Sequence, residues 1–168
     1  MLCHAISWPL FGHLWNPIGI DHTDVAQSYN NIIAIVYDSQ NKYDEALEYY
    51  NKDLAISINK LGKDHTDVAT SYNNIANVYQ SQNKYDKALE YYNKSLDIKI
   101  NKLGKDHTDI GNIYYCIGNL CRTQSKYKEA LEYFTKAHKI YKDKQGDDYQ
   151  WTKNALRMIQ ACKDRLGM

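Results

Sequence analysis

The 168-residue sequence has very little proline and phenylalanine, with two residues of each. It contains no run of about 18 apolar residues, which is the length that a membrane-spanning helix needs. Its acidic and basic residues are interleaved and nearly balance, since the formal net charge is +1. Nucleic-acid binding usually requires a strongly basic surface. The composition therefore predicts a protein that works neither within a membrane nor on nucleic acid.

The four cysteines do not form a framework with a recognisable spacing. Cys116 and Cys121 are five residues apart, and on a helix this spacing turns their side chains about 140° away from each other. Neither a disulfide framework nor a zinc-binding pattern follows from this arrangement. Buried, unpaired thiols in a reducing, cytoplasmic compartment are the simpler expectation.

The N-terminal residues match no other part of the sequence. Trp8 and Trp15 lie in this stretch, Pro9 and Pro17 interrupt it, and residues 1–20 contain no Lys or Arg. A signal peptide is therefore not predicted, because its charged start is missing. We interpret residues 1–19 as an irregular leader that lies against the open end of the following structure. Contact with a membrane surface is the alternative, but no basic residue supports it.

The sequence is dominated by a long internal repeat. Residues 41–67 and 83–109 are identical except at four positions. These positions are Glu45/Lys87, Asp53/Ser95, Ala55/Asp97 and Ser57/Lys99. A diverged copy begins at Ser125, and the glycines at 62, 104 and 146 give a period of 42 residues. A period of this length indicates small structural units that stack on one another.

Each unit has the pattern of two helices. In the middle unit, apolar residues recur at three- and four-residue steps from Val68 to Tyr79 and again from Tyr85 to Leu103. This spacing is typical of one apolar face on each helix. One hairpin of two such helices cannot bury its apolar side alone, so successive hairpins are expected to stack.

Helix ends can also be predicted for the middle unit. Asp64 or Thr66 is suited to cap the start of its first helix, and Asn83 is suited to a left-handed position at the end of that helix. Gly104 is expected to end the second helix.

The predicted units cover residues 20–145, with approximate ranges of 20–62, 63–104 and 105–146, and residues 147–168 form a final capping helix. The first unit has one additional residue at or near Ile32. Either a π-bulge absorbs this residue or the first helix runs slightly rotated. We favour the rotation, because a helix at the end of an array has only one neighbouring unit.

The pattern of aromatic and small residues resembles the tetratricopeptide repeat. The residues that carry the resemblance are Tyr72, Ile75, Ala76 and Tyr79, followed by Tyr85, Ala88, Tyr92 and Ser95. The 42-residue period and the sequence motif NNIANVY are similar to those of the longer repeats of kinesin light chain. The resemblance implies an all-α, right-handed solenoid of three helix hairpins with a C-terminal capping helix. It does not imply attachment to a motor.

The resemblance also implies a protein-interaction module that binds a peptide segment of a protein partner. The peptide would lie in a concave groove formed by the first helices of the units. Asparagine suits such a groove, because one amide group can both donate to and accept from a peptide backbone. The candidate groove residues are Asn30 (or Asn31), Ile35, Asp38, Thr70, Asn73, Asn77, Gln80, Asn112, Tyr115, Asn119 and Arg122.

Other interpretations of these residues remain open. Asn31 and Asn74 are equally suited to hydrogen bonds between repeats. The chain also fits a fragment of a longer array, or a protein that associates with itself end to end.

An enzyme, a cofactor or a metal site is not expected, because the sequence contains no GxSxG, HExxH, CxxC or phosphate-binding glycine pattern. His22, His65 and His107 are each followed by Thr and Asp, but they recur once per unit and should therefore lie a full repeat apart. Turn packing and helix capping explain them better than a hydrolase or a metal centre.

Overall fold

The computed structural model describes residues 22–168, with side chains from residue 27 onward, and this part of the chain forms seven α-helices without a strand. The helices are α1 (His22–Ser39), α2 (Tyr43–Leu61), α3 (Thr66–Ser81), α4 (Tyr85–Leu103), α5 (Thr108–Thr123), α6 (Tyr127–Gln145) and α7 (Gln150–Leu166). None of these described helices is long and apolar enough to cross a membrane. The predicted leader with Trp8 and Trp15, and the side chain of His22, lie outside the described residues.

The helices pack as three successive hairpins and a final helix. α1 packs on α2, α3 on α4, α5 on α6, and α7 on α6, while α2 also contacts α3 and α4 contacts α5. The buried core crosses the boundaries between the hairpins, since Ile75 and Val78 of α3 pack in one cluster with Ala34 of α1 and Tyr50 of α2. The predicted all-α stack of three hairpins with a last helix is confirmed.

Close packing within the third hairpin depends on a glycine. A Cβ atom at Gly118 of α5 would lie 2.9 Å from the ring of Phe134, which is fully buried in α6. The equivalent position in the second hairpin is Ala76, which is buried in the same cluster as Tyr92. Small residues at this position therefore let a first helix lie against an aromatic ring of its second helix.

Residues with positive φ set the turns between helices. Asn83, between α3 and α4, has a φ of 59°, and Asn41 and Ser125 hold the same position in the other hairpins with φ values of 58° and 59°. Gly104 follows α4 with a φ of 82°, which is accessible to glycine without steric cost. Both predicted helix ends are confirmed.

The N-cap of α3 is His65, so the prediction of Asp64 or Thr66 at this position is wrong. Nδ1 of His65 accepts a hydrogen bond of 3.2 Å from the backbone N–H of Asp67. His107 caps α5 in the same way, with a distance of 3.2 Å to the N–H of Asp109. An imidazole lone pair thus satisfies a helix-start donor that a hydroxyl or carboxylate more often satisfies. Capping explains the His-Thr-Asp triplets at His65 and His107, as predicted, and stays a prediction for His22.

The additional residue of the first unit does not produce a π-bulge. α1 is α-helical throughout His22–Ser39. Ala34 is fully buried and occupies the position of Ala76, counting back from the end of each helix. The residues before Ala34 are therefore turned relative to their counterparts in α3, because one residue adds about 100° of rotation. This agrees with the rotated-helix alternative.

Candidate functional site: two clefts along the first helices

Two clefts open between the first helices of successive hairpins. The α3–α5 cleft has a volume of about 410 Å³, and the α1–α3 cleft has a volume of about 300 Å³. The residues that line the α3–α5 cleft are Asn77, Gln80, Ser81, Asn83, Tyr85, Tyr92, Cys116, Asn119 and Thr123. Those that line the α1–α3 cleft are Gln27, Asn31, Ile35, Asp53, Asp67, Thr70, Ser71 and Asn74.

The tyrosine at the base of the α3–α5 cleft contacts two amide side chains. The hydroxyl of Tyr92 lies 2.5 Å from Oδ1 of Asn77 and 2.9 Å from Oε1 of Gln80. A hydroxyl has one proton, so it donates to one of these oxygens at a time. Burial raises the pKa of Tyr92, so its hydroxyl remains a donor at neutral pH. The Tyr92 hydroxyl thus holds one of the two amide oxygens at a time, and both side chains line the cleft.

The opposite side of this cleft comes from α5. Cys116 and Asn119 line it, and the hydroxyl of Thr123 donates to the backbone carbonyl of Asn119 at 2.9 Å. Burial raises the pKa of the Cys116 thiol, an effect that the hydrogen bond with Tyr92 opposes. A thiol with a raised pKa is a poor nucleophile at neutral pH. Cys116 therefore lines the cleft and is not expected to react as a nucleophile.

A buried carboxylate forms the base of the α1–α3 cleft. Asp53 of α2 is 2% exposed, and it accepts hydrogen bonds from the Ser71 hydroxyl at 2.5 Å and from Nδ2 of Asn31 at 2.9 Å. Burial raises the pKa of Asp53, hydrogen bonds from Ser71, Asn31 and Gln27 lower it, and the nearby carboxylate of Asp67 raises it further. The net direction is upward. The cleft thus combines two acidic groups with polar neutral side chains.

Five predicted groove residues line the two clefts. Ile35 and Thr70 line the α1–α3 cleft, and Asn77, Gln80 and Asn119 line the α3–α5 cleft. The other candidates lie elsewhere on the first helices. They are Asn30, Asp38, Asn73, Asn112, Tyr115 and Arg122.

The surroundings of three of these other residues are well defined. Oδ1 of Asn112 accepts a hydrogen bond of 2.9 Å from the hydroxyl of Tyr141, which joins α5 to α6. Tyr115 makes edge contacts with Phe134 and Trp151, at centroid distances of 5.3 and 5.5 Å. Burial raises the pKa of Asp38, whose Oδ1 has no hydrogen-bond partner among the described residues. Their contribution to a groove stays a prediction.

Asn31 forms its hydrogen bond within its own hairpin, so a bond from it to the next repeat stays a prediction. Its Nδ2 bonds Asp53 of the second helix, and its side chain also lines the α1–α3 cleft. Asn74 lines the same cleft. Sequence reasoning missed Asp53 and Tyr92, because both belong to second helices. A signal for Asp53 was present, since it is one of four differences between two otherwise identical segments.

A stack of helix hairpins with polar clefts along the first helices defines a helical repeat protein. The model of the tetratricopeptide repeat matches residues 24–101 and 103–168. The chain belongs to the tetratricopeptide repeat family. No curated protein shows a significant match to the sequence.

Several solved structures share this fold. BtubC (BKLC) from P. vanneervenii superimposes with a TM-score of 0.77 at 20% identity, over 90% of this chain and 60% of that protein. A Podosopora anserina protein, described as a kinesin light chain with nearly identical TPR-like repeats, gives 0.74 at 17% identity, over 88% of this chain and 70% of its own. The TPR2B domain of yeast Sti1, solved in a complex with pHsp70, gives 0.63 at 13% identity, over 84% and 98% of the two chains. This chain therefore spans less than two thirds of BtubC, and these identities show the fold alone.

The Tyr92→Phe variant tests the hydrogen bond at the base of the α3–α5 cleft. The third hairpin already carries Phe134 at this position, so the ring is expected to fit. Loss of the hydroxyl should lower the free energy of unfolding by about 1 kcal/mol, a typical value for one hydrogen bond. Urea unfolding followed by circular dichroism measures this change. Tyr85→Phe is the matched control, because its hydroxyl bonds exposed Asn83, and a loss as large in the control would contradict the assignment.

Burial of Asp53 predicts a dependence of stability on pH. Its pKa in the folded state is raised above the unfolded value of about 3.9. The folded state therefore binds this proton more tightly, and the associated stability is lost as the pH rises through the folded pKa. The Asp53→Asn variant lacks this titration, so its stability relative to the original chain should increase from about pH 4 upward and then become constant.

Urea unfolding at a series of pH values measures this difference. Asp53→Ser, which introduces the residue found at position 95, also lacks the carboxyl and should show the same trend. A stability difference that does not change with pH would show that Asp53 is not perturbed by burial.

Proposed function

We propose that this chain is a protein-interaction module that binds an extended peptide segment of a partner along the first-helix face. The observation that carries the proposal is the α3–α5 cleft, in which the Tyr92 hydroxyl lies within hydrogen-bond distance of the amides of Asn77 and Gln80. Asn119 faces them from the neighbouring hairpin. The family supports protein–protein interaction in general, and the Sti1 domain is an example with a bound protein partner.

Fixed amides are suited to an extended backbone. A peptide in an extended conformation presents unpaired N–H and C=O groups along its length, and an amide side chain can satisfy either kind. Because the Tyr92 hydroxyl already holds one of the amides of Asn77 and Gln80, binding a peptide costs less side-chain entropy than it would with two free side chains. The cleft thus provides hydrogen bonds that do not depend on the sequence of the peptide.

The neutral lining of the α3–α5 cleft is not suited to recognition of a charged group. The described residues that line it include no Asp, Glu, Lys or Arg. Capture of a peptide C-terminal carboxylate would need a basic group, and Arg122 is exposed on α5 outside this lining. We therefore assign the α3–α5 cleft to an internal, uncharged part of the partner peptide.

We also propose that this protein is cytoplasmic and has no enzymatic activity. Within the part of the chain that the structure describes, Cys116, Cys121 and Cys162 are unpaired, which fits a reducing compartment. Among the described residues, no group of three or more His, Cys, Asp or Glu side chains is placed to hold a metal ion.

The Asn77→Ala/Asn119→Ala double variant tests the proposed cleft. Linear peptides selected from a phage-displayed random library for binding to the original chain serve as the probe. Removing two hydrogen-bonding amides should cost about 1–3 kcal/mol, which weakens binding by about 5- to 100-fold. Isothermal titration calorimetry measures the dissociation constants.

A matched control is available on the second helices. Asn51→Ala/Asn93→Ala removes two exposed asparagines of α2 and α4, and peptide affinity should remain unchanged. Equal affinities for both double variants would refute the proposed cleft, provided that circular dichroism shows intact helices.

A second candidate function is supported by the outer face of α1. Ile32 and Val36 are 60% and 46% exposed, and Tyr29 on the same face is also exposed. The residues that correspond to Val36 are Val78 and Leu120, which are 0% and 1% exposed because the preceding hairpin covers them. The face of α1 thus has the apolar pattern of an inter-hairpin interface. We propose that a second copy of this chain covers it by end-to-end association.

The Ile32→Lys variant tests self-association. A charge in the centre of this face should shift the protein toward the monomer, since burying an unpaired ammonium is costly. Sedimentation velocity over a range of concentrations measures the association. Asn93→Lys is the control, because Asn93 is exposed on α4 of the middle hairpin, away from both ends of the stack. A concentration-independent monomer for the original chain would rule out this function.

A further inference from the structure

The junctions between successive hairpins carry different charges, although their sequences are almost the same. In the second junction, Lys99 of α4 is largely buried, and its Nζ lies 2.7 Å from Oδ2 of Asp109. In the first junction, Asp67 corresponds to Asp109, but Ser57 stands in the place of Lys99. The acidic group is thus paired with a lysine at one junction, whereas at the other no lysine among the described residues pairs with Asp67.

The first junction has a second acidic group as well. Asp53 replaces the neutral Ser95 of the second junction, and it is almost fully buried at the base of the α1–α3 cleft. The hydroxyl of Ser57 accepts a hydrogen bond of 2.7 Å from Gln27 and supplies no positive charge. Two of the four differences between the repeated segments therefore remove a cation and add an anion at the same place.

The hydrogen-bonding capacity of this cleft is also unbalanced. Asn31 donates its Nδ2 to Asp53, and this orientation leaves its Oδ1 buried without a donor among the described residues. With the carboxylates of Asp53 and Asp67, the cleft lining thus presents an excess of acceptors. The described residues that line it include no Lys or Arg. A buried acceptor without a donor costs about 1–3 kcal/mol, so a bound donor would be favourable.

We propose that the α1–α3 cleft binds the ammonium group of a lysine side chain from the partner peptide. This group would take the role that Lys99 Nζ has beside Asp109 in the second junction. An ammonium has three N–H donors and one positive charge, which matches the excess of acceptors and the two acidic groups. This inference rests on the proposed function and adds the side chain that the peptide would need.

The shape and surroundings of the cleft fit a lysine. Its volume of about 300 Å³ is sufficient for the side chain, and exposed Ile35 on its lining can contact the methylene groups of the lysine. The carboxylates of Asp53 and Asp67 repel each other, and a cation between them relieves this repulsion. A lysine should therefore bind more strongly here than at the second junction, where Asp109 is already paired.

The experiment uses two capped pentapeptides, acetyl-Ala-Ala-Lys-Ala-Ala-amide and its norleucine analogue, which has the same length without the charge. NMR detection of the carboxyl carbons of Asp53, Asp67 and Asp109 follows each titration. The lysine peptide should shift Asp53 and Asp67 saturably, and it should leave Asp109, the internal control, nearly unchanged. The norleucine peptide should shift none of the three.

Substitutions at Ser57 then locate the effect. Ser57→Lys introduces the residue of the second junction and should weaken binding of the lysine peptide at least about tenfold, because the new ammonium occupies the cleft. Ser57→Met adds similar length without charge and should not weaken it to that extent. If Ser57→Lys fails to fold, Asp53→Ser provides the test and should also weaken binding.

Three results would overturn the inference. They are equal shifts with the lysine and norleucine peptides, shifts at Asp109 as large as those at Asp53, and unchanged affinity in both Ser57→Lys and Asp53→Ser. An uncapped norleucine peptide distinguishes a terminal from a side-chain ammonium, and stronger binding of that peptide would also refute a lysine site.

The lysine-peptide titration and the test of the proposed function with the Asn77→Ala/Asn119→Ala variant can fail independently. If the selected peptides need Asn77 and Asn119 but the lysine peptide causes no shift, peptide binding stands and the lysine site is refuted.

Discussion

Burial of one hairpin's apolar side against the next is the constraint on which the rest of this structure depends. Val78 of α3 is fully buried because the first hairpin covers it, and Leu120 of α5 is buried by the second. The same interaction places α1, α3 and α5 so that clefts open between them. It also explains why the first helix is atypical, since Val36 occupies the equivalent position without a preceding described hairpin.

Within this stack, two buried positions of the second helices carry a different residue in each hairpin. Asp53, Ser95 and Ala137 are equivalent, and all three are buried. At the other position, Ser57 accepts from Gln27, Lys99 pairs with Asp109, and Tyr141 donates to Asn112. Each junction therefore has its own polar chemistry on a common frame. This arrangement allows one repeated scaffold to present an acidic cleft and a neutral cleft next to each other.

The fold could be predicted from the sequence because it depends on features that repeat. The 42-residue period, the apolar spacing from Val68 to Tyr79, and the turn residues Asn83 and Gly104 each gave a helix or its end correctly. The predicted N-cap of α3 was wrong, because Asp64 and Thr66 are more usual capping residues than His65. The sequence does not show which side chain reaches the free N–H of Asp67.

The candidate site was harder to predict, because a cleft is formed by residues that are distant in sequence. Asn77 and Asn119 were predicted on the groove face of the first helices and line a cleft there, although their role in binding stays a prediction. Tyr92 and Asp53 were not, because their side chains extend from second helices to the base of a cleft. Tyr115 shows the opposite case, since it lies on a first helix but packs against Phe134 and Trp151.

The central claim is that an extended peptide lies along the first helices and crosses the α3–α5 cleft. Intermolecular nuclear Overhauser effects between a selected peptide and the isotope-labelled protein test it most directly. The account predicts contacts from the peptide backbone to the side-chain amides of Asn77, Gln80 and Asn119. Contacts confined to the second helices, for example to Asn51 and Asn93, would contradict it.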